Sequence, residues 1–171
     1  MSATFGPVTF LQRLRPGHAP ALLAFEQENR GYFAASVPDR GDPYFEHFDA
    51  RHAELLAEQE AGLHHFHVLT DAAGSVLGRV NLVDVAAGRA ELGYRIAERA
   101  AGRGLATSAV RAVCSLAYTG YGLRELRAVT TLDNHGSLAV LARTGFVRAG
   151  KAFPGGRPGL AWTRRLGPED G

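Results

Sequence analysis

The stretch ERAAGRGLATSAV, residues 98–110, decides the reading of this chain. It sets Arg99, Gly102, Arg103 and Gly104 directly before a run in which Leu105, Ala109, Val110, Val113, Leu116 and Ala117 recur at helical spacing. An ordinary helix start needs one capping side chain. Two glycines and two arginines suit another task. The first four N–H groups of a helix have no internal partner, and the helix dipole makes that end partly positive. A glycine turn lets a ligand approach this backbone without meeting a Cβ, so the stretch reads as a seat for a phosphate. Arg99 and Arg103 add charged donors, and Thr107 and Ser108 offer hydroxyls one turn in. It is not a nucleotide P-loop, since no Gly-Lys-Ser/Thr follows. It is not a dinucleotide fingerprint either, because the third glycine is missing. A plain strand-to-helix turn with solvated arginines is the competing reading.

Outward from this turn the hydrophobic period changes twice. HHFHVLT (64–70), SVLGRVNLVDV (75–85) and RAELGYRIAE (89–98) alternate as strands, with DAAGS and AAGR as turns, which predicts an antiparallel meander. Before it, VTFLQRL (8–14) predicts a first strand, followed by helices over 17–30 and 45–62. After the central helix come a strand at 125–132, a helix at 134–143 closed by Gly145, and two last strands, FVRAGKA and GLAWTRRL. This order predicts an α+β fold, an α/β sandwich. Its central sheet is mixed and mostly antiparallel, with helices on both faces, in one domain over 1–171.

With 46% hydrophobic residues the chain is suited to a packed core, and no apolar run approaches the ~18 residues of a membrane span. The N-terminal MSATFGPVTFLQRLRP lacks the layout of a signal peptide, so a cytoplasmic location is expected. The single cysteine, Cys114, falls on the apolar helix face and reads as a small core residue in a reducing compartment. A net charge of +2, with arginines scattered and Lys151 the only lysine, argues against a nucleic-acid partner. His65 and His67 share one face of a strand with His64 opposite. Without a third ligand nearby they make a poor metal site, so no metal is expected. Arg40-Gly41-Asp42 spells an adhesion triplet that reads as coincidence in a chain with no export signal.

RAAGRGLAT (99–107) matches the Arg/Gln-x-x-Gly-x-Gly/Ala acyl-CoA signature of the GNAT superfamily of N-acetyltransferases, after a strand and opening a helix. NHGSLAVLARTGFVRAG (134–150) resembles the superfamily's second motif. ELGYRIAERAAGRGLATSAV (91–110) and FEQENRGYF (25–33) resemble the RimJ/RimL-type branch in particular. The resemblance covers roughly residues 8–166 and implies the GNAT acyl-CoA N-acyltransferase fold. It implies acetyl-CoA as donor, with the diphosphate on the backbone of Arg103, Gly104, Leu105, Ala106 and Thr107, beside Gly102 and Arg99. The pantetheine arm would lie along the strand that carries Leu92, Tyr94 and Ile96. An arm of ~15 Å spans four or five strand residues, which brings the thioester near Glu91 to Tyr94.

For the chemistry, an amine must be neutral to attack a thioester and the departing thiolate needs a proton. Glu91 is the candidate base, directly or through water, with an exposed or ion-paired strand glutamate as the alternative. Many superfamily members place a tyrosine seven residues after the motif's Asn, where this chain has Leu141. Ser137 occupies the position that the RimJ/RimL-type branch implies instead, as hydrogen-bond donor to the thiolate or as proton relay. Asn134 would contact CoA, cap its helix, or both. An α-amino group titrates near 7.7–8.0 and lysine near 10.4, so a modest site suits an N-terminal α-amine of a ribosomal-protein-like acceptor. Polyamines or aminoglycosides, or a non-catalytic CoA-binding regulatory role, are the alternatives. Acceptor contacts are expected from Asn29, Arg30, Tyr32, Phe33 and Phe45, whose aromatics equally suit core packing. The assembly is expected to be a monomer or homodimer. The Asp-containing ending frequent in that branch is missing from GGRPGLAWTRRL.

Overall fold

The computed structural model describes the backbone of residues 2–5 and all of residues 9–171. Met1 and residues 6–8, including the expected strand start at Val8, lie outside the described residues. The strands are β1 (Ser2–Phe5), β2 (Thr9–Arg13), β3 (His65–Thr70), β4 (Val76–Ala86), β5 (Arg89–Ile96), β6 (Glu125–Thr131), β7 (Val147–Ala152) and β8 (Gly159–Arg165). They form one sheet in the order β1-β2-β3-β4-β5-β6-β8-β7, antiparallel throughout except where β5 meets β6. The helices are α1 (Ala19–Glu28), α2 (Arg30–Ala34), α3 (Asp42–Glu46), α4 (Phe48–Glu60), α5 (Leu105–Thr119) and α6 (His135–Arg143). This is the mixed, mostly antiparallel α+β sandwich that the change of period predicts.

Two expected helices are each broken once. The segment 17–30 ends at Glu28, because Asn29 leaves helical geometry (φ −102°, ψ 7°), and α2 restarts after it. His47 (φ −112°, ψ 27°) divides the second region in the same way. Helical periodicity continues across both breaks, so the sequence pattern does not reveal them. The first strand region carries an extra antiparallel partner, β1, at the sheet edge.

Every residue of β3 is buried, so both faces of the sheet are covered there. The register tells the faces apart. Phe66, Asn81 and Gly93 lie abreast, as do Arg79 and Arg95, and α1 sends Glu26 onto that face to Arg79. His67, Val80 and Tyr94 lie abreast on the opposite face, where His67 Nε2 meets the Tyr121 hydroxyl at 2.6 Å, just beyond α5. Helix α5 buries Ala109, Val110, Val113, Cys114 and Ala117, a one-sided stripe. Each buried valine there contributes about 1.5–3 kcal/mol.

The feature that positions the site is a split. β5 pairs with β6 only at Arg89–Glu125, Ala90–Leu126 and Glu91–Arg127. Beyond Glu91 the strands diverge, β5 running on to Ile96 beside β4 while β6 runs on to Thr131 beside β8. Trp162 Nε1 donates to Thr130 Oγ1 at 2.9 Å and holds β8 to the far side of the split. Alternate backbone groups of Leu92–Ile96 therefore face an open gap about 16 Å long.

Candidate active site

Strand β5 leads into the glycine turn. Gly102 (φ 73°) and Gly104 (φ 75°) both adopt left-handed backbone, and a Cβ at either position would meet nothing within 4 Å. Here glycine supplies the conformation and also leaves the space above it open. Gly104 caps α5 without a side-chain hydrogen bond, and the first intrahelical bond is Ser108 N–H to Gly104 O at 3.1 Å. The amides of Leu105, Ala106 and Thr107 thus point out of the helix start. They open into a cavity of about 450 Å³ lined by Gly102, Gly104, Leu105, Ala106 and Thr107, together with Tyr32, Phe33, Tyr94, Ile96, Asn134 and Ser137. Arg99 and Arg103 are exposed beside the turn and outside that lining; Arg103 Nη2 donates to the Arg99 carbonyl at 2.6 Å.

Where β5 and β6 part, a second cavity of about 310 Å³ continues from the first. Tyr94, Arg95, Asn134, Ser137 and Val37 line both. Glu91, Leu92 and Gly93 line the second from β5, Ala128–Thr130 line it from β6, and Arg40, Arg79 and Asn81 close it on the α1 face. The cleft thus passes through the sheet at the split. Glu91 is exposed within it, and buried Leu141 lines it at the position where the superfamily's tyrosine was missed.

Asn134 caps α6 by accepting from Ser137 N–H at 3.2 Å, and it also lines both cavities, so its two expected roles are compatible in one conformation. Ser137 Oγ in turn accepts from the Tyr94 hydroxyl at 3.2 Å. Burial pushes the Tyr94 phenol up, with the bond to Ser137 opposing, so it stays protonated at neutral pH. A serine hydroxyl carries one donor and two acceptor lone pairs. With Tyr94 donating into it, the Ser137 hydroxyl keeps its own proton free to donate. Sequence reasoning placed Tyr94 along the strand through its neighbours and missed its hydroxyl.

The expected acceptor residues are dispersed. Asn29 is buried with both ends of its amide engaged: Nδ2 donates to Phe25 O at 2.9 Å and Oδ1 accepts from Glu98 N–H at 3.0 Å. It ties the end of α1 to the approach of the glycine turn. Arg30 pairs with Asp39 and Asp42 at 2.8 Å and lies over the Phe45 ring at 4.5 Å; both line a small crevice that also takes in Glu26, Arg40 and Arg95. Tyr32 and Phe33 line the larger cavity beside the glycine turn rather than the second one.

What the sequence reading passed over is a charged cluster. Glu26 is 1% exposed. It accepts from Arg79 Nη1 at 3.0 Å, Arg40 Nε at 3.0 Å and Arg95 Nη1 at 3.3 Å. Burial alone would raise the Glu26 carboxyl, but the three guanidiniums outweigh it and hold it below its ordinary range. Burial and the neighbouring Arg40 and Arg79 lower the Arg95 pKa, with Glu26 opposing them. The arginine of the adhesion-like triplet is thus turned inward to Glu26. The available signal was Arg79 and Asn81 at i and i+2 within the apolar run Val76–Val83, two polar side chains on one inward face.

The residues set aside are all engaged elsewhere. His65 stacks on Tyr121 with centroids 3.7 Å apart, and His67 Nδ1 lies 3.0 Å from Val80 O. Among the described residues no group of three or more His, Cys, Asp or Glu is arranged to hold a metal. Burial pushes the Cys114 thiol up to about 11, so it is not a nucleophile at neutral pH. No described helix is long and apolar enough to cross a membrane.

Comparison with known proteins adds three findings. Residues 9–147 match the family described as an acetyltransferase (GNAT) domain. YdaF of Bacillus subtilis, a candidate ribosomal N-acetyltransferase, is 34% identical over 142 residues, covering 78% of this chain and 73% of its own. Among solved structures, the ribosomal-protein-S5-alanine acetyltransferase of Vibrio fischeri superposes with a TM-score of 0.91 at 20% identity over 98% of each chain. RimJ of Mycobacterium smegmatis, in complex with CoA-disulfide, superposes with a TM-score of 0.82 at 22% identity, covering 94% of this chain and 86% of its own.

Proposed function

The chain belongs to the GNAT acetyltransferase family, and from that premise we propose that it transfers the acetyl group of acetyl-CoA to a primary amine, an N-terminal α-amine of a ribosomal-protein-like acceptor. One observation carries this reading: the open edge of β5 over Leu92–Ile96 runs directly into a turn whose amides are unpaired, along two adjoining cavities. An arm bearing amides docks along the former as an added strand, and a diphosphate sits on the latter. The CoA complex of M. smegmatis RimJ, similar in fold, supports the same donor here.

On this reading the thioester lies in the split, between the two faces of the sheet. The amine approaches from the Glu91 and Asn81 side, and its nitrogen attacks the thioester carbon. Unpaired β5 amides near the split stabilise the oxyanion. The C–S bond breaks, Glu91 takes the amine proton directly or through water, and Ser137, held by the Tyr94 hydroxyl, donates a hydrogen bond to the sulfur, which leaves as a thiolate or takes its proton from water. A thiol titrates near 8.5, so the thiolate leaves with little need of proton donation, and a hydrogen bond suffices.

The test is thiol release from acetyl-CoA with N-terminal peptides, polyamines and aminoglycosides as acceptors. Turnover on peptides supports the reading. Turnover confined to the small amines redirects the substrate assignment, and CoA binding without turnover on any acceptor overturns it in favour of a regulatory module.

A further inference from the structure

We propose that the acceptor carries a carboxylate within its first two or three residues, and that Arg40, Arg79 and Arg95 bind it; this rests on the acetyltransferase reading above. In the register of β4 and β5, Arg79 stands directly opposite Arg95, Asn81 opposite Gly93, and Val83 opposite Glu91. Cross-strand partners project to the same side, and all of these except Val83 line one face of the second cavity, with Glu91 at one end and the arginines at the other.

Like charges directly opposite one another across a sheet repel. Here the repulsion is relieved by Glu26 from α1, but one carboxylate serves three guanidiniums. Even counting the Glu91 carboxylate farther along the strand, the chamber holds more guanidiniums than carboxylates. Donor capacity is in surplus as well. Among the described residues, Arg79 and Arg95 each commit only Nη1 to hydrogen bonds, while Arg40 commits Nε and Nη2. A guanidinium has five N–H donors in a planar fork suited to a carboxylate.

Two features set the polarity. Glu91 and Arg95 are four residues apart, about 13 Å along the strand, and both line the second cavity. Between them Asn81 Oδ1 is buried without a hydrogen-bond partner. A peptide with its amine beside Glu91, its first peptide unit passing Asn81 and an acidic side chain at the second or third residue spans this face from one end to the other. A polyamine would set cations against the arginines.

The experiment measures kcat/KM over peptides of one length, with Asp or Glu, Gln or Lys at the second and third positions, alongside free glutamate and spermidine. The acidic peptides are expected to exceed the neutral ones at least tenfold and the lysine peptides by more. Arg95→Gln and Arg40→Gln should bring the acidic-to-neutral ratio toward one. Equal rates on acidic and lysine peptides, or spermidine as the best acceptor, overturn the inference while leaving the acetyltransferase reading intact. Free glutamate surpassing every peptide assigns the carboxylate to a free amino acid and overturns the peptide form. If nothing in the panel turns over, the acetyltransferase reading fails, and calorimetric binding still decides the charge preference. Acidic peptides binding no tighter than lysine peptides would then overturn it.

Discussion

At the scale of single residues, the most informative pair is Tyr94 and Ser137, because the bond between them converts two unremarkable hydroxyls into a directed donor. Removing the phenol in Tyr94→Phe leaves the ring packing but lets the Ser137 proton turn away from the cleft. A lost hydrogen bond of about 0.5–1.5 kcal/mol corresponds to a fall in kcat of about tenfold at the upper end. Ser137→Ala should cost at least as much, with the KM for acetyl-CoA moving less than kcat in both. Initial-rate kinetics with acetyl-CoA varied would test this, and unchanged kcat in both variants removes the pair from the reaction. Gly104 makes a different prediction. Open space above it means that Gly104→Ala meets no clash, so its stability cost is the left-handed backbone alone, about 1–2 kcal/mol. For a domain of this length that lowers Tm by roughly 2–8 °C. The added methyl also stands where the diphosphate is expected, so CoA affinity should fall more than stability does. Calorimetry on the folded variant reads the affinity directly, and an unchanged Kd would move the anion seat away from this turn.

At the scale of elements, the contacts that matter join strands to the helix above them. Glu26 on α1 neutralises part of the charge that β4 and β5 bring face to face. Glu26→Gln keeps the shape and removes the charge, leaving Arg79, which is 4% exposed, without its counter-ion. Breaking a buried pair in this way costs about 3–5 kcal/mol, while the partial exposure of Arg40 and Arg95 places the expected loss near the lower figure. Urea unfolding at neutral pH measures it; a loss below about 1 kcal/mol would mean that the cluster relaxes by hydration. These contacts also mark the limit of what the sequence reveals. The strand alternation at 64–98, the glycine turn and the Asn134–Ser137 cap were legible because each depends on neighbours along the chain. The split after Glu91, the break at Asn29 and the Glu26 cluster were not. The split depends on how far β6 follows β5, which no local period encodes. Asn29 resembles any polar residue late in a helix until its amide is seen bridging Phe25 and Glu98. Glu26 lies 53 positions from Arg79 and 69 from Arg95. The arginine cluster escaped the sequence pattern for the same reason: it is assembled from three distant elements.

Across the whole molecule, pH should act on stability through histidines that the fold keeps neutral. His67 is 1% exposed, His18 5% and His65 9%. Burial lowers all three to about 4; Arg15 and His52 add to the effect on His18, Arg13 and His64 to that on His65, and His65 and Arg13 to that on His67. His65 Nδ1 is also buried without a hydrogen-bond partner. In the unfolded chain each imidazole returns to its ordinary value near 6.5. Between pH 6.5 and 4 the unfolded state therefore binds more protons than the folded state, so stability rises with pH there and is lost on acidification. His67 alone should contribute a loss of about 2 kcal/mol by pH 5, with His18 and His65 adding losses of the same sign. Against a total of about 5–15 kcal/mol, this is a large share. The carboxylates act in a lower window. Hydrogen bonds from Arg30 and Gly41 hold Asp39 at about 2, so its contribution persists until pH falls below about 4. Unfolding free energy measured at constant ionic strength should therefore be flat above about pH 7 and drop steeply between pH 6.5 and 5, before the carboxylates titrate. Imidazole signals followed by NMR should show His67 still neutral at pH 5. A stability curve level down to pH 5, or a His67 ring titrating near 6.5, would mean that the interior at Val80 and Tyr121 admits water and that the face behind the split is less tightly closed than its packing implies.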